Sequence, residues 1–151
     1  MNPAVIRPLV ICLFKNKDSI LVAEGFDSVK KEHFYRPIGG GIEFGESSSD
    51  ALKREVKEEI RAVITDLKYL GMIESIFAFN GEVGHEIVMV YDAKFIDAEF
   101  YRKSTFMGKE DDGTPFKLFW KPISEFQSGN LRLVPENLLN LIIEDKRKNE
   151  L

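Results

Sequence analysis

Cysteine and histidine are scarce in this chain: Cys12, His33 and His85 are the only ones among 151 residues. A lone cysteine cannot close an intramolecular disulfide, so the sequence fits a reducing compartment, and the expected location is cytoplasmic. Cys12 lies in the apolar run Leu9-Val10-Ile11-Cys12-Leu13-Phe14, where an inert core thiol is the ordinary outcome. That run is too short to span a bilayer, and no small-residue cleavage site follows it. The histidines stand apart from each other and from the acidic motif described below, and they read as surface or turn residues rather than catalysts. A large positive charge is also missing. The net charge of −4 argues against a surface that coats a nucleic-acid polymer, so any phosphate binding must be local and metal-assisted.

What is present suits one globular unit. A hydrophobic content of 44% over 151 residues supplies a single core, and the chain lacks repeats, low-complexity segments and internal linkers. Residues 1–151 are therefore expected to form one domain, with a homodimer left open. Leu9 to Phe14 is apolar without alternation and predicts a strand buried on both faces. Ser19 to Ala23 predicts a second strand, followed by a mobile polar loop from Asp27 to His33. Leu67 to Phe79 reads as extended, Asn80-Gly81 as a turn, and His85 to Phe95 as a strand whose Ile87–Tyr91 segment is central. Phe116 to Trp120 is a further strand, with Trp120 packing where it ends, and Pro122 to Phe126 is a short turn or helix. Pro135 marks the start of a last helix with Leu138, Leu139, Leu141 and Ile142 on its apolar side and a solvated tail from Glu144 to Glu150. Buried strands with apolar-faced helices suggest an α/β fold, a mixed sheet between helices.

The informative segment lies between the second strand and Leu67. Leu52, Val56, Ile60 and Val63 recur at helical spacing and predict a helix from about Ser48 to Ala62. Ser47, Ser48 and Ser49 are candidates for its N-cap, and Asp50 suits the first turn. Glu55, Glu58 and Glu59 are spaced i, i+3 and i+4, so they converge on one side and repel by about a few tenths of a kcal/mol per pair. At roughly 100° per residue, Glu59 falls on the edge of the apolar stripe with Glu55 and Glu58 beside it, which predicts half-sunk carboxylates. Upstream, Gly39-Gly40-Gly41 permits a backbone that approaches a ligand closely. Carboxylates without histidine or cysteine nearby select a hard cation, Mg²⁺ or Mn²⁺, over Zn²⁺.

Each piece alone has an ordinary explanation: a solvated acidic face, a glycine turn, an arginine in a surface ion pair. Their joint spacing does not. Gly40, five residues, Glu46, seven residues, and then Arg54-Glu55-Val56-Lys57-Glu58-Glu59 together resemble the Nudix box of the Nudix (MutT-like) hydrolases. The resemblance implies an α/β/α sandwich with a mixed sheet over essentially the whole chain. It implies Mg²⁺-dependent hydrolysis of a nucleoside diphosphate linked to another group. Glu55, Glu58, Glu59 and the carbonyl of Gly39 would be metal ligands, Glu55 also a candidate base, and Arg54 with Glu46 would hold the acids in register. The chain departs from the family pattern at Arg61 and Ala62, where the family has Gly and an aliphatic residue. An arginine forced into a left-handed helix cap there would cost on the order of 1 kcal/mol.

Around the motif, Arg36 could reach a phosphate or form a surface ion pair, and Gly40 and Gly41 could approach the substrate. Phe34, Tyr35, Phe77 and Phe79 could stack on a base, although strand aromatics are usually core. A further carboxylate could come from Glu110-Asp111-Asp112, a sequence that also suits a plain turn, or from Glu86, which could instead pair with a cation. None of these selects among nucleoside triphosphate, ADP-ribose, dinucleoside polyphosphate and nucleotide sugar. A catalytically silent module that binds a nucleotide as a sensor is the alternative reading, and a structural domain with fortuitous acids a third.

Overall fold

The structure is a computed structural model that describes residues 4–150. In chain order it contains β1 (Ile6–Cys12), β2 (Lys15–Asn16), β3 (Ser19–Asp27), β4 (Glu32–Arg36), β5 (Ile38–Gly41), α1 (Ser48–Ile60), β6 (Ile64–Phe79) and β7 (Glu82–Phe95). Then follow α2 (Glu99–Arg102), β8 (Thr105–Lys109), β9 (Pro115–Pro122), α3 (Ile123–Gln127) and α4 (Leu138–Glu150).

The apolar run of β1 is buried on both sides because two helical layers flank it. Val10 and Cys12 pack in one cluster with Ala51, Leu52, Val56 and Ile60 of α1. Ile11 and Leu13 pack in the other with Phe126 of α3 and Leu138 and Ile142 of α4. Leu21 and Ala23 of β3 face the first cluster, Ile20 and Val22 the second, so the same alternation serves both sheets. Each fully buried aliphatic side chain contributes about 1.5–3 kcal/mol relative to exposure, which explains why these strands tolerate no polar face. The result is an α/β sandwich.

One sheet is mixed, in the order β5-β1-β7-β6, with β1 parallel to β7 and antiparallel to β5. The second sheet is antiparallel and runs β2-β3-β9-β8, with β4 also on β3. The chain passes from one sheet to the other at Arg36-Pro37, between β4 and β5. Asn80 and Gly81 both take left-handed conformations, which a tight β6–β7 hairpin requires. No helix among the described residues is long and apolar enough to cross a membrane.

Several sequence expectations need correction. β3 runs on to Asp27 and β4 begins at Glu32, so the expected loop from Asp27 to His33 shrinks to a short turn. The Asp27 carboxylate holds that turn by accepting from the amides of Val29, Lys30 and Asn80. α4 begins at Leu138, three residues past Pro135, because Asn137 has a left-handed φ of 74°. Its charged tail is not wholly solvated. Asp145 is buried between Lys15 (2.5 Å) and Lys68 (3.2 Å), which fastens the helix to β2 and β6. α2 and β8 had no clear sequence signal. Trp120 stacks on Tyr101 beside α2 and donates to the Phe100 carbonyl.

Candidate active site

α1 starts where Ser47 accepts a hydrogen bond from the Asp50 amide, and Ser48 meets the Tyr91 hydroxyl at 2.6 Å, hooking the first turn to β7. It stops at Ile60, earlier than the apolar spacing predicts. Arg61 adopts φ 56°, ψ 31°, and its amide bonds the Lys57 carbonyl, so this arginine carries the left-handed cap. The chain then turns into β6, and Val63, expected on the buried stripe, is 59% exposed, while Ala62 and Ile64 are buried instead.

The three glutamates of α1 are not equivalent. Glu55 is 3% exposed and Glu59 9%, whereas the Glu58 side chain is 50% exposed. The expectation of uniformly half-sunk acids is therefore wrong: two are buried and one lies at the surface. The difference follows from the neighbours. Glu55 presses on β5, and Glu59 shares the buried side of the helix with Val56 and Ile60.

Gly40 makes room for Glu55. A Cβ on Gly40 would lie 2.3 Å from the Glu55 carboxyl carbon. A Cβ on Gly39 would lie 2.0 Å from the Val10 carbonyl oxygen, while on Gly41 it would meet nothing within 4 Å. Ile42 donates to the Pro8 carbonyl, and Gly39 and Gly41 are paired with Ile11 and Leu9. Because antiparallel pairs alternate between bonded and non-bonded, the carbonyls of Gly39 and Gly41 turn away from β1. The Gly41 carbonyl accepts from Arg54 Nη2 at 2.9 Å.

Arg54 organises this region. Its Nε and Nη2 grip both oxygens of Glu46 at 2.7 and 2.9 Å, and its Nη1 donates to Glu55 at 2.9 Å and reaches Glu58 at 3.4 Å. A planar fork with five donors can serve several acceptors at once, which a lysine cannot. The hydrogen bonds from Arg54 lower the Glu46 pKa to about 2, and the paired carboxylates raise that of Arg54. The bond to the Gly41 carbonyl leaves no signal in the sequence, since it depends on how β5 docks on α1.

Burial pushes up the pKa of Glu55, with Arg54 opposing it. It raises Glu59 to about 9, helped by the charges of Glu55 and Glu110. Glu59 has no cationic partner within 4 Å among the described residues. The loop acids separate clearly. Oxygens of Glu55, Glu58 and Asp111 all lie within 4.8 Å of one another, so the β8–β9 turn brings Asp111 over α1. Asp112 is occupied within its own turn by the Thr114 amide, and Glu110 is paired with Arg36 at 2.9 Å. Glu86 is largely buried and sits 3.8 Å from Arg7, outside the cluster. An all-oxygen set of converging carboxylates, Glu55 buried and Glu58 and Asp111 exposed, fits a hard divalent cation, which would relieve charges that Arg54 alone does not offset.

The aromatics are mostly packed rather than presented to a ligand. Tyr35 is buried, Phe34 meets Phe79 edge-on at 5.6 Å, and Phe34 and Phe77 lie over Gly25 and Gly84. His33 pairs with Glu24 at 2.7 Å, and Cys12 is fully buried with its thiol pKa raised by burial.

A family model described as the NUDIX domain matches residues 5–138. The chain is 38% identical over 66 residues to the NAD-capped RNA hydrolase NudC of Pseudomonas syringae pv. tomato (strain ATCC BAA-871 / DC3000), covering 44% of this chain and 23% of that protein. It is 35% identical over 94 residues to the NAD-capped RNA hydrolase NudC of Pseudomonas putida (strain W619), covering 58% of this chain and 33% of that protein. The matches thus span no more than a third of these relatives. Among solved structures, the MutT protein of Methanosarcina mazei Go1 superposes with a TM-score of 0.62 at 17% identity over 100% of both chains, a likeness of fold alone. The matched segment runs from just before β1 to the first residue of α4 and takes in every element around the acidic cluster, and on that ground the chain belongs to the Nudix family.

Proposed function

We propose that the chain hydrolyses a diphosphate bond in a nucleoside diphosphate linked to another moiety, using Mg²⁺ or Mn²⁺ held by Glu55, Glu58 and Asp111. The observation that carries this reading is the convergence of those three carboxylates, with the buried Glu59 close enough to Glu55 to feel its charge and in no ion pair among the described residues. When bound, the cation would neutralise diphosphate charge and acidify a water. Glu59, buried and coupled in charge to Glu55, would take part as well, and the outward carbonyl of Gly39 is a further candidate ligand.

The chain's own groups supply the rest. Arg54, clamped by Glu46, fixes Glu55 against Gly40 and so sets where its carboxylate points. Glu55 is the proposed base. It would accept a proton from the attacking water as the new P–O bond forms and the anhydride P–O bond breaks, the electron pair leaving on the departing phosphate. The open backbone at Gly41 and the neighbouring Gly40 would receive the phosphates. The lone buried thiol is compatible with a reducing, cytoplasmic setting.

The test is product release from a panel containing nucleoside triphosphates, ADP-ribose, dinucleoside polyphosphates, nucleotide sugars, NAD and NAD-capped RNA, since the relatives are named for the last. Hydrolysis of at least one, abolished by chelator and restored by Mg²⁺, is expected. Unchanged turnover in excess chelator refutes the metal mechanism, and nucleotide binding without hydrolysis points to the sensor reading.

A further inference from the structure

The β8–β9 turn that delivers Asp111 has a shape of its own. The Glu110 amide bonds the Thr114 carbonyl, the Gly113 amide bonds the Glu110 carbonyl, and the Thr114 amide bonds Asp112. These bonds close the turn but do not set its tilt toward α1. Charge among the acids opposes that tilt, because Asp111 must approach Glu55 and Glu58 while the Glu110 charge acts on Glu59, an effect that the Arg36 charge partly offsets. Among the described residues, one side-chain hydrogen bond or ion pair ties residues 109–114 to anything beyond their own hairpin. It is Arg36 Nη2 to Glu110 Oε1, at 2.9 Å.

Arg36 is placed for this. It ends β4, immediately before Pro37 and the crossing to β5, so its backbone is anchored on β3 and its neighbour Tyr35 is buried in the core. We propose that Arg36 is a positioning residue that acts through Glu110: the pair latches the acidic turn down so that Asp111 completes the cation site. This assignment rests on the reading of the cluster as a cation site, and it gives Arg36 a role other than a direct phosphate contact. A half-exposed pair of this kind adds little to the stability of the fold, so its effect is on placement rather than on folding.

The experiment is a titration with Mn²⁺ alone, without nucleotide, followed by calorimetry or by the paramagnetic signal of free Mn²⁺. Melting curves check that each variant folds. Arg36→Met and Glu110→Gln should each weaken Mn²⁺ binding by about 10-fold, as loss of groups that orient ligands generally does. The double variant should lose no more than either single one, because both remove the same contact. Arg36→Lys should stay within about twofold of wild type, since the observed bond needs one donor. Wild-type affinity in Arg36→Met, or losses that multiply in the double variant, overturns the latch. A large loss in Glu110→Gln with none in Arg36→Met makes Glu110 itself a ligand and also overturns it. If wild type binds no Mn²⁺, both the latch and the cation site fall. If wild type binds and hydrolyses while Arg36→Met matches it, the latch alone falls.

Discussion

Adding one methyl group at each of Gly39, Gly40 and Gly41 should give three different outcomes, and the difference tests how β5 serves the site. At Gly39 the new Cβ meets backbone, 2.0 Å from the Val10 carbonyl oxygen and 2.7 Å from the Ile11 Cα. Backbone in the middle of a sheet cannot give way locally, so Gly39→Ala should cost about 3 kcal/mol. For a chain of this length that lowers the melting temperature by roughly 10 °C. At Gly40 the obstacle is the Glu55 carboxylate, at 2.3–2.7 Å. The end of a side chain can withdraw, and restoring an ordinary contact of about 3.5 Å moves it by about 1 Å. Gly40→Ala should therefore fold, yet a displacement of that size costs about 100-fold in turnover. At Gly41 there is open space and no left-handed φ. Gly41→Ala should keep the wild-type melting temperature or gain about 0.4–1 kcal/mol, and should retain its stabilisation by Mg²⁺. Thermal melts with and without Mg²⁺, beside turnover, read all three. Near-normal turnover and a normal Mg²⁺ shift in Gly40→Ala would refute the contact with Glu55 as the reason for that glycine.

Arg61→Gly should stabilise the protein by about 1 kcal/mol, because glycine adopts the left-handed cap without the strain of a Cβ, and the melting temperature should rise by about 2–4 °C. Asp111→Asn should raise the Mg²⁺ concentration needed for half-maximal rate, whereas Asp112→Asn, altering an acid that only closes its own turn, should not. Metal-free protein should lose stability as pH rises from the usual carboxylate range toward 9, because the buried Glu59 is protonated in the folded state to about 9 and the unfolded chain ionises first. Glu59→Gln should flatten that slope, and an unchanged slope in melts from pH 5 to 9 would refute its origin in Glu59. Glu46 acts in the opposite sense. Its contribution is present above the usual carboxylate range and disappears as pH falls toward 2, so Glu46→Gln should flatten the acid limb of the same curve.

Whatever depends on local period and local chemistry was legible in the chain alone. The unbroken apolar run through Val10 and Cys12 required cover on both faces, and Asn80-Gly81 required a tight turn. The spacing of Glu55, Glu58 and Glu59 put three acids on one side of a helix, because 3.6 residues per turn is a property of the backbone rather than of its surroundings. The sequence could not say which of those acids is buried, since burial depends on what docks against the helix: β5 covers Glu55, while the Glu58 side chain stays half exposed. Nor could it choose among Glu110, Asp111 and Asp112, three adjacent acids in one turn. Only the docking of the β8–β9 hairpin brought Asp111 to Glu55 and Glu58, left Asp112 to its own turn, and gave Glu110 to Arg36. Arg36 and Glu110 lie 74 residues apart, and a contact at that separation has no period for a sequence to display.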